Sequence, residues 1–212
     1  DAGAAVLLLS SRRGRAAAEN THVLTLRARC EVYVLAADVG RFEDTEVLLR
    51  AATSPPAPLR GVLHAAGVLR DVLLRFASAD ELDGVSVPKA LAVSHLHVSV
   101  ARAPLEVLGL FSSVASTFGN AGQGNYAAAT AYLDALAKSL RACGSLGSSL
   151  QIPAVSGAGM GAATFGEEQL GAMGALSLDE FAAWLFISFA PGGAAAECVL
   201  CLLYTSSEPT RP

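Results

Sequence analysis

Short apolar runs alternate with longer segments of helical periodicity along most of the chain. Ala4 to Leu9 is an apolar run of strand length, closed by the polar Ser10-Ser11-Arg12-Arg13-Gly14. A helix-compatible segment, about Ala16 to Ala28, leads to a second strand, Glu31 to Ala36, with Asp38 just after it. Glu43 to Ala52 reads as a helix, and Thr53-Ser54-Pro55-Pro56-Ala57-Pro58 breaks the pattern. Leu59 to His64 then predicts a strand, Ser78 to Val98 a long helix interrupted near Pro88, and Leu105 to Phe111 another strand. The helix Asn125 to Cys143, the strand Leu150 to Val155 and a late helix Leu178 to Phe189 complete the series.

This βαβαβ repetition predicts a doubly wound parallel sheet, because right-handed crossovers lay helices on both of its faces. In such sheets ligands bind beyond the carboxyl ends of the strands. Ser11, Arg12, Asp38, Ala66, Gly67 and Ser113 all fall there. Residues 1–203 read as one α/β domain, and 204–212 as a polar tail without periodicity, disordered or non-native.

Composition supports a sheet buried on both sides: the 212 residues are 52% hydrophobic and only 16% charged. A formal net charge of −4 argues against a nucleic-acid partner. The longest apolar stretch, Phe181 to Ala190, is too short for a membrane span, which needs about 20 residues. Cys198-x-x-Cys201 has no second pair and no neighbouring histidine. It reads as small hydrophobes in a reducing, cytoplasmic setting, and no metal site is expected.

The chemistry concentrates in Lys89, Ser113 and Gly122-Gln123-Gly124-Asn125-Tyr126. A hydroxyl, a phenol and an ammonium are what reduction of a carbonyl by a nicotinamide needs. The serine holds the substrate oxygen, the tyrosine protonates it, and the lysine brings the tyrosine, with a free pKa near ~10, toward working pH. Serine hydrolase chemistry at Ser112 or Ser113 is disfavoured, since no Gly-x-Ser-x-Gly elbow surrounds them.

Gly61-Val62-Leu63-His64-Ala65-Ala66-Gly67-Val68-Leu69, Pro88-Lys89, Phe111-Ser112-Ser113 and Gly122 to Ala129, in this order and spacing, resemble a ketoreductase domain of a modular polyketide synthase. That family lies within the short-chain dehydrogenase/reductase superfamily, and the resemblance runs from about residue 4 to 190. It implies a Rossmann-like fold and roles for Tyr126 as proton donor, Ser113 as holder of the carbonyl oxygen and Lys89 as the ribose-binding lysine. In most of the superfamily that lysine follows the tyrosine by four residues, where this chain has Thr130. Polyketide ketoreductases resemble a swapped arrangement, with lysine on the preceding helix and asparagine at the later position. Lys89 fits the swap; Thr130 departs from it, offering a hydroxyl without an amide's reach.

The resemblance further implies NADPH as cofactor. Ser11 and Arg12 match its 2′-phosphate grip, Asp38 and Val39 the adenine contacts, and Ala65, Ala66 and Gly67 the turn beside the ribose. Ser112 also falls in the implied cofactor set. Gly67 has a plain backbone reading as well, a tight turn needing positive φ. Leu69-Arg70-Asp71 resembles the motif of B-type ketoreductases, while Phe118 stands where the A-type tryptophan would be. Asp71, Phe118 and Asn125 are therefore the expected stereocontrol residues, although Asp71 also reads as a cap for the next helix. Gln151-Ile152-Pro153 replaces the family's Ala-Trp-Gly. Ser156 to Met160 resembles the loop beside the nicotinamide, and Thr164 to Ala175 a mobile lid. Trp184 reads as core.

The implied substrate is a β-ketoacyl thioester on an acyl carrier protein, within a polyketide or fatty acid synthase whose other domains are partners. The family's opening strand and glycine-rich phosphate loop are not found here. Gly157-Ala158-Gly159-Met160-Gly161 follows a late strand and is no substitute. The expectation is an N-terminally truncated piece whose missing strand would lie mid-sheet. A catalytically degenerate structural domain is the alternative.

Overall fold

A computed structural model describes residues 5–14, 25–53, 58–157 and 159–189. Five parallel strands alternate with helices: β1 (Val6–Ser11), β2 (Glu31–Ala36), α1 (Phe42–Ala52), β3 (Gly61–His64), α2 (Ala79–Ser86), α3 (Ala92–Val100), β4 (Val107–Ser113), a short α4 (Ala115–Phe118), α5 (Gly124–Ala142) and β5 (Ser148–Ile152). Two short helices, α6 (Gly159–Thr164) and α7 (Glu167–Ala172), precede α8 (Leu178–Phe189). The alternation is the one expected. The segment expected as a lid, Thr164 to Ala175, is largely occupied by α7 and the end of α6. Most of the expected helix at 16–28, the Cys198-x-x-Cys201 pair and the tail lie outside the described residues.

Among the described residues the strands form two sheets rather than one: β1 with β2, and β3-β4-β5 in that order. The break falls between β1 and β3, where the expected arrangement has a further strand. The halves meet instead through helices. Leu49 of α1 packs with Leu96 and Val100 of α3, over Leu59 and Val62, and His95 stacks edge-on against Phe42.

Helices cover both faces of β4. On one, Leu108 and Leu110 pack with Val93, Leu133, Ala137 and Leu140. On the other, Phe111 stacks on Phe189 and meets Phe181 edge-on. Gly109 lets α8 lie close, since a methyl there would come within 2.8 Å of the Phe189 ring. Trp184 is half-buried, facing a small gap beside Gln151, Ile152 and Pro153.

Serine–glutamate capping boxes start two helices. Ser78 accepts from the Glu81 N–H while the Glu81 carboxylate takes the Ser78 N–H, and Ser177 and Glu180 repeat the arrangement before α8. The expected reading of Asp71 as a helix cap is thus corrected, because Ser78 has that role and Asp71 bonds elsewhere. The helix interrupted near Pro88 becomes α2, a wide π turn over Val87–Leu91, and α3. Pro88 has no N–H to donate and its ring crowds the carbonyl four residues back, so the α winding widens there.

Candidate active site

The π turn carries Lys89 inward. The side chain is 2% exposed, its ammonium donates to the Phe111 carbonyl at 2.9 Å, and it lies 5.4 Å from the centre of the Tyr126 ring. Burial lowers the Lys89 pKa to about 8, and the negative charge of Asp134 opposes that fall. Tyr126, in the first turn of α5, is buried at 6% exposure with Val85, Ala115 and Ala129. Burial raises its phenol pKa, and a hydrogen bond with Ser113 opposes the rise. The phenol thus keeps its proton at neutral pH, as an acid catalyst must.

Ser113 ends β4, and its hydroxyl accepts the Ala115 N–H at 3.2 Å besides bonding to the Tyr126 phenol. Three elements converge here: the end of β4, the start of α5 and the π turn. Ser112, facing the opposite way on the same strand, is 3% exposed and donates to the Thr130 carbonyl at 3.2 Å. That bond ties β4 to α5 and uses the hydroxyl that the resemblance assigned to the cofactor.

Thr130 is fully buried, and its hydroxyl bonds back to its own helix, to the Tyr126 carbonyl at 2.8 Å and the Ala127 carbonyl at 3.0 Å. Asn125 is also occupied: its amide donates to the Arg70 carbonyl at 2.9 Å and its oxygen takes the Tyr126 N–H at 2.8 Å. The Asp71 carboxylate accepts the Gln123 amide at 3.0 and 3.2 Å, and the Val72 N–H donates to Gly122 at 2.7 Å. Together these bonds pin the segment 70–72 to the start of α5. Phe118 is 67% exposed beside Gly119, whose φ is +71°.

Gly67 corrects one expectation. Its φ is not in the left-handed region, which among the described residues is held by other glycines. Glycine is required for space, because a Cβ there would lie 2.7 Å from Lys89 Cε. His64, ending β3, is buried and held neutral. Burial, and then the Lys89 charge, lower its pKa to about 4, while the backbone of Pro88 and Lys89 pulls the other way.

A second group of residues lies at the carboxyl ends of β1 and β2, where Ser11 pairs in register with Ala36. Arg12 is exposed in the turn after β1, and the buried Ser11 hydroxyl has no partner among the described residues. Asp38 accepts the Gly40 N–H at 3.0 Å, and the Val39 carbonyl accepts from Thr45 and lies 3.2 Å from His95 Nδ1. Ala65 and Ala66 follow β3 in the same sense. Among the described residues no cluster with metal-holding composition occurs, and no helix is long and apolar enough to cross a membrane.

The sequence pointed to neither Asp134 nor Ser116, though Asp134 falls two helical turns after Tyr126 on α5. The spacing i, i+4, i+8 puts Tyr126, Thr130 and Asp134 on one face.

Parallel strands flanked by helices, with serine, phenol and ammonium gathered at their carboxyl ends, mark an oxidoreductase of the short-chain dehydrogenase/reductase type, a class that uses a nicotinamide cofactor. The sequence profile of the KR domain matches residues 1–157, and the chain belongs to that family, the ketoreductase domains of polyketide synthases. It is 44% identical over 148 residues to polyketide synthase GfsA of Streptomyces halstedii, which covers 68% of this chain and 2% of that protein. It is 41% identical over 147 residues to the phenolphthiocerol synthesis polyketide synthase type I Pks1 of Mycobacterium tuberculosis, whose own name questions its activity. That match covers 68% of this chain and 9% of the relative. The solved first ketoreductase of the tylosin polyketide synthase superimposes with a TM-score of 0.74 at 36% identity, covering 86% of this chain and 40% of that one. The chain therefore spans a small part of the multidomain synthases it matches.

Proposed function

We propose that this domain reduces a β-ketoacyl thioester, carried on an acyl carrier protein, to the β-hydroxyacyl thioester with NADPH as reductant. The observation that carries the reading is the convergence of Ser113, Tyr126 and Lys89, delivered by three separate elements. Ser11 and Arg12 would hold the 2′-phosphate, Asp38 and Val39 the adenine side, and Ala65, Ala66 and Gly67 the ribose. Bound there, a reduced nicotinamide would supply the hydride that the β-carbon needs. The Ser113 hydroxyl would hold the carbonyl oxygen by a hydrogen bond, and Tyr126 would give that oxygen the one proton that completes the alcohol. Lys89 steadies the negative charge that develops on the phenol. Asp71, held by Gln123, supports a B-type alcohol configuration. The natural partners would be the other domains of a polyketide synthase in the cytoplasm.

A second reading, a domain kept for structure without turnover, is favoured by the Thr130 hydroxyl, which bonds to its own helix. The test is NADPH oxidation with a β-ketoacyl thioester mimic, with Tyr126→Phe as control. Turnover abolished by that substitution supports the reductase. Cofactor binding without turnover, restored by Thr130→Asn, supports the second reading.

A further inference from the structure

Next to the catalytic residues lies a polar cluster that the reaction as described does not use. The carboxylate of Asp134 is its hub. Ser116 of α4 donates to Oδ2 at 2.6 Å, the Gln151 amide of β5 donates to Oδ2 at 2.9 Å, and the Ser149 hydroxyl of β5 donates to Oδ1. Thr117 completes the cluster, its hydroxyl donating to the Gln151 side-chain Oε1 at 2.9 Å. Three helix and strand ends are thereby joined by hydrogen bonds to one ionised group, the stronger kind.

Two connections run from this hub to the catalytic residues. The Ser116 hydroxyl that reaches Asp134 also lies 2.8 Å from the Ser113 carbonyl, so the carboxylate fixes the turn that orients Ser113. The second connection is electrostatic. Lys89 Nζ lies 5.4 Å from the centre of the Tyr126 ring, Asp134 stands two turns along the same face of α5, and His64 ends the neighbouring β3. Of these, the Asp134 carboxylate is the one whose charge favours the ammonium. A charge in a poorly hydrated interior needs such an opposite charge to persist.

We propose that Asp134 is a positioning residue of this active site, fixing the Ser113 turn through Ser116 and holding Lys89 in its ammonium form. The proposal rests on the reductase reading for its consequence in turnover, but its physical content is independent of it. Asparagine at 134 can keep its oxygen toward Ser116 and Gln151 and turn its amide toward the Ser149 oxygen, removing the charge, whereas alanine at 116 removes the brace and keeps the charge. The two halves therefore separate.

The test is a titration of the Lys89 side chain by NMR in wild type, Asp134→Asn and Ser116→Ala, with the pH dependence of kcat and KM beside it. In Asp134→Asn the Lys89 midpoint is expected to move down by about half a pH unit or more. The alkaline limb of kcat should move with it while KM changes little. In Ser116→Ala the midpoint should stay, and hydrogen exchange of the Ala115 N–H, which bonds to Ser113, should speed at least about tenfold. A Lys89 midpoint unchanged in Asp134→Asn overturns the electrostatic half, and unchanged exchange at Ala115 in Ser116→Ala overturns the positioning half. Should Asp134→Asn not fold, Asp134→Ser takes its place in the titration, with the same downward move of the Lys89 midpoint expected. If wild type reduces no β-ketoacyl thioester, the reductase reading fails while the Lys89 titration still judges Asp134.

Discussion

Gly67 and Lys89 share one volume. A methyl group on Gly67 would stand 2.7 Å from Lys89 Cε and 3.1 Å from Nζ, so the bare backbone after β3 is what lets the ammonium reach the Phe111 carbonyl. Gly67→Ala meets the far end of a flexible side chain, which can move aside. The expected result is therefore a small loss of stability, below about 1.5 kcal/mol, with turnover lowered at least about tenfold by displacement of the ammonium. Thermal unfolding and steady-state kinetics on the same variant check both halves.

Tyr126→Phe removes the phenolic proton from a buried site while keeping the ring packed against Val85, Ala115 and Ala129. Turnover should fall by about 10²–10⁴-fold, the usual worth of a positioned acid. Cofactor affinity should change little, as a fluorescence titration with NADPH would show.

Thr130→Val tests whether that hydroxyl takes part in the reaction. Both of its hydrogen bonds go to carbonyls of its own helix, so kcat should stay within about threefold of wild type. Stability should drop by about 1 kcal/mol for the lost bonds. A much larger fall in kcat, measured under saturating substrate, would mean the hydroxyl turns into the site when substrate binds.

Two buried bases give stability a defined pH dependence. Lys89 titrates at about 8 in the folded protein and near 10.5 when unfolded, so across that interval the unfolded chain binds more protons. Stability should therefore rise from pH 8 to 10.5 through this group, and the rise should vanish in Lys89→Met. His64, lowered to about 4 from 6.5, acts in the same sense at lower pH. Acidifying from 6.5 to 4 should destabilise wild type more than His64→Gln. Urea unfolding across both intervals measures each slope.

The alternation of apolar runs and helical segments, together with the positions of Ser113, Tyr126 and Lys89, could be read from residue order alone. Strand period, helix period and the spacing of reactive side chains are local properties. The break at Pro88 was legible for the same reason, since a missing N–H acts within one turn. What the chain order could not tell was the direction in which each hydroxyl points. Ser112 and Ser113 are neighbours, yet strand alternation sends one to the α5 backbone and the other to Tyr126. Thr130 sits at a catalytic spacing, but a helical carbonyl four residues back takes its proton. Gly67 looked like a turn residue and proved to be a space for Lys89, a partner 22 positions later. Asp134 gave no signal at all, because Ser116, Ser149 and Gln151 come together only when α4 and β5 pack beside α5. Sequence by itself determined the elements and the reactive groups they carry, because those follow from local periodicity. Tertiary packing alone decided which groups are neutral, charged, occupied or free, because burial and hydrogen-bond partners come from residues distant in the chain.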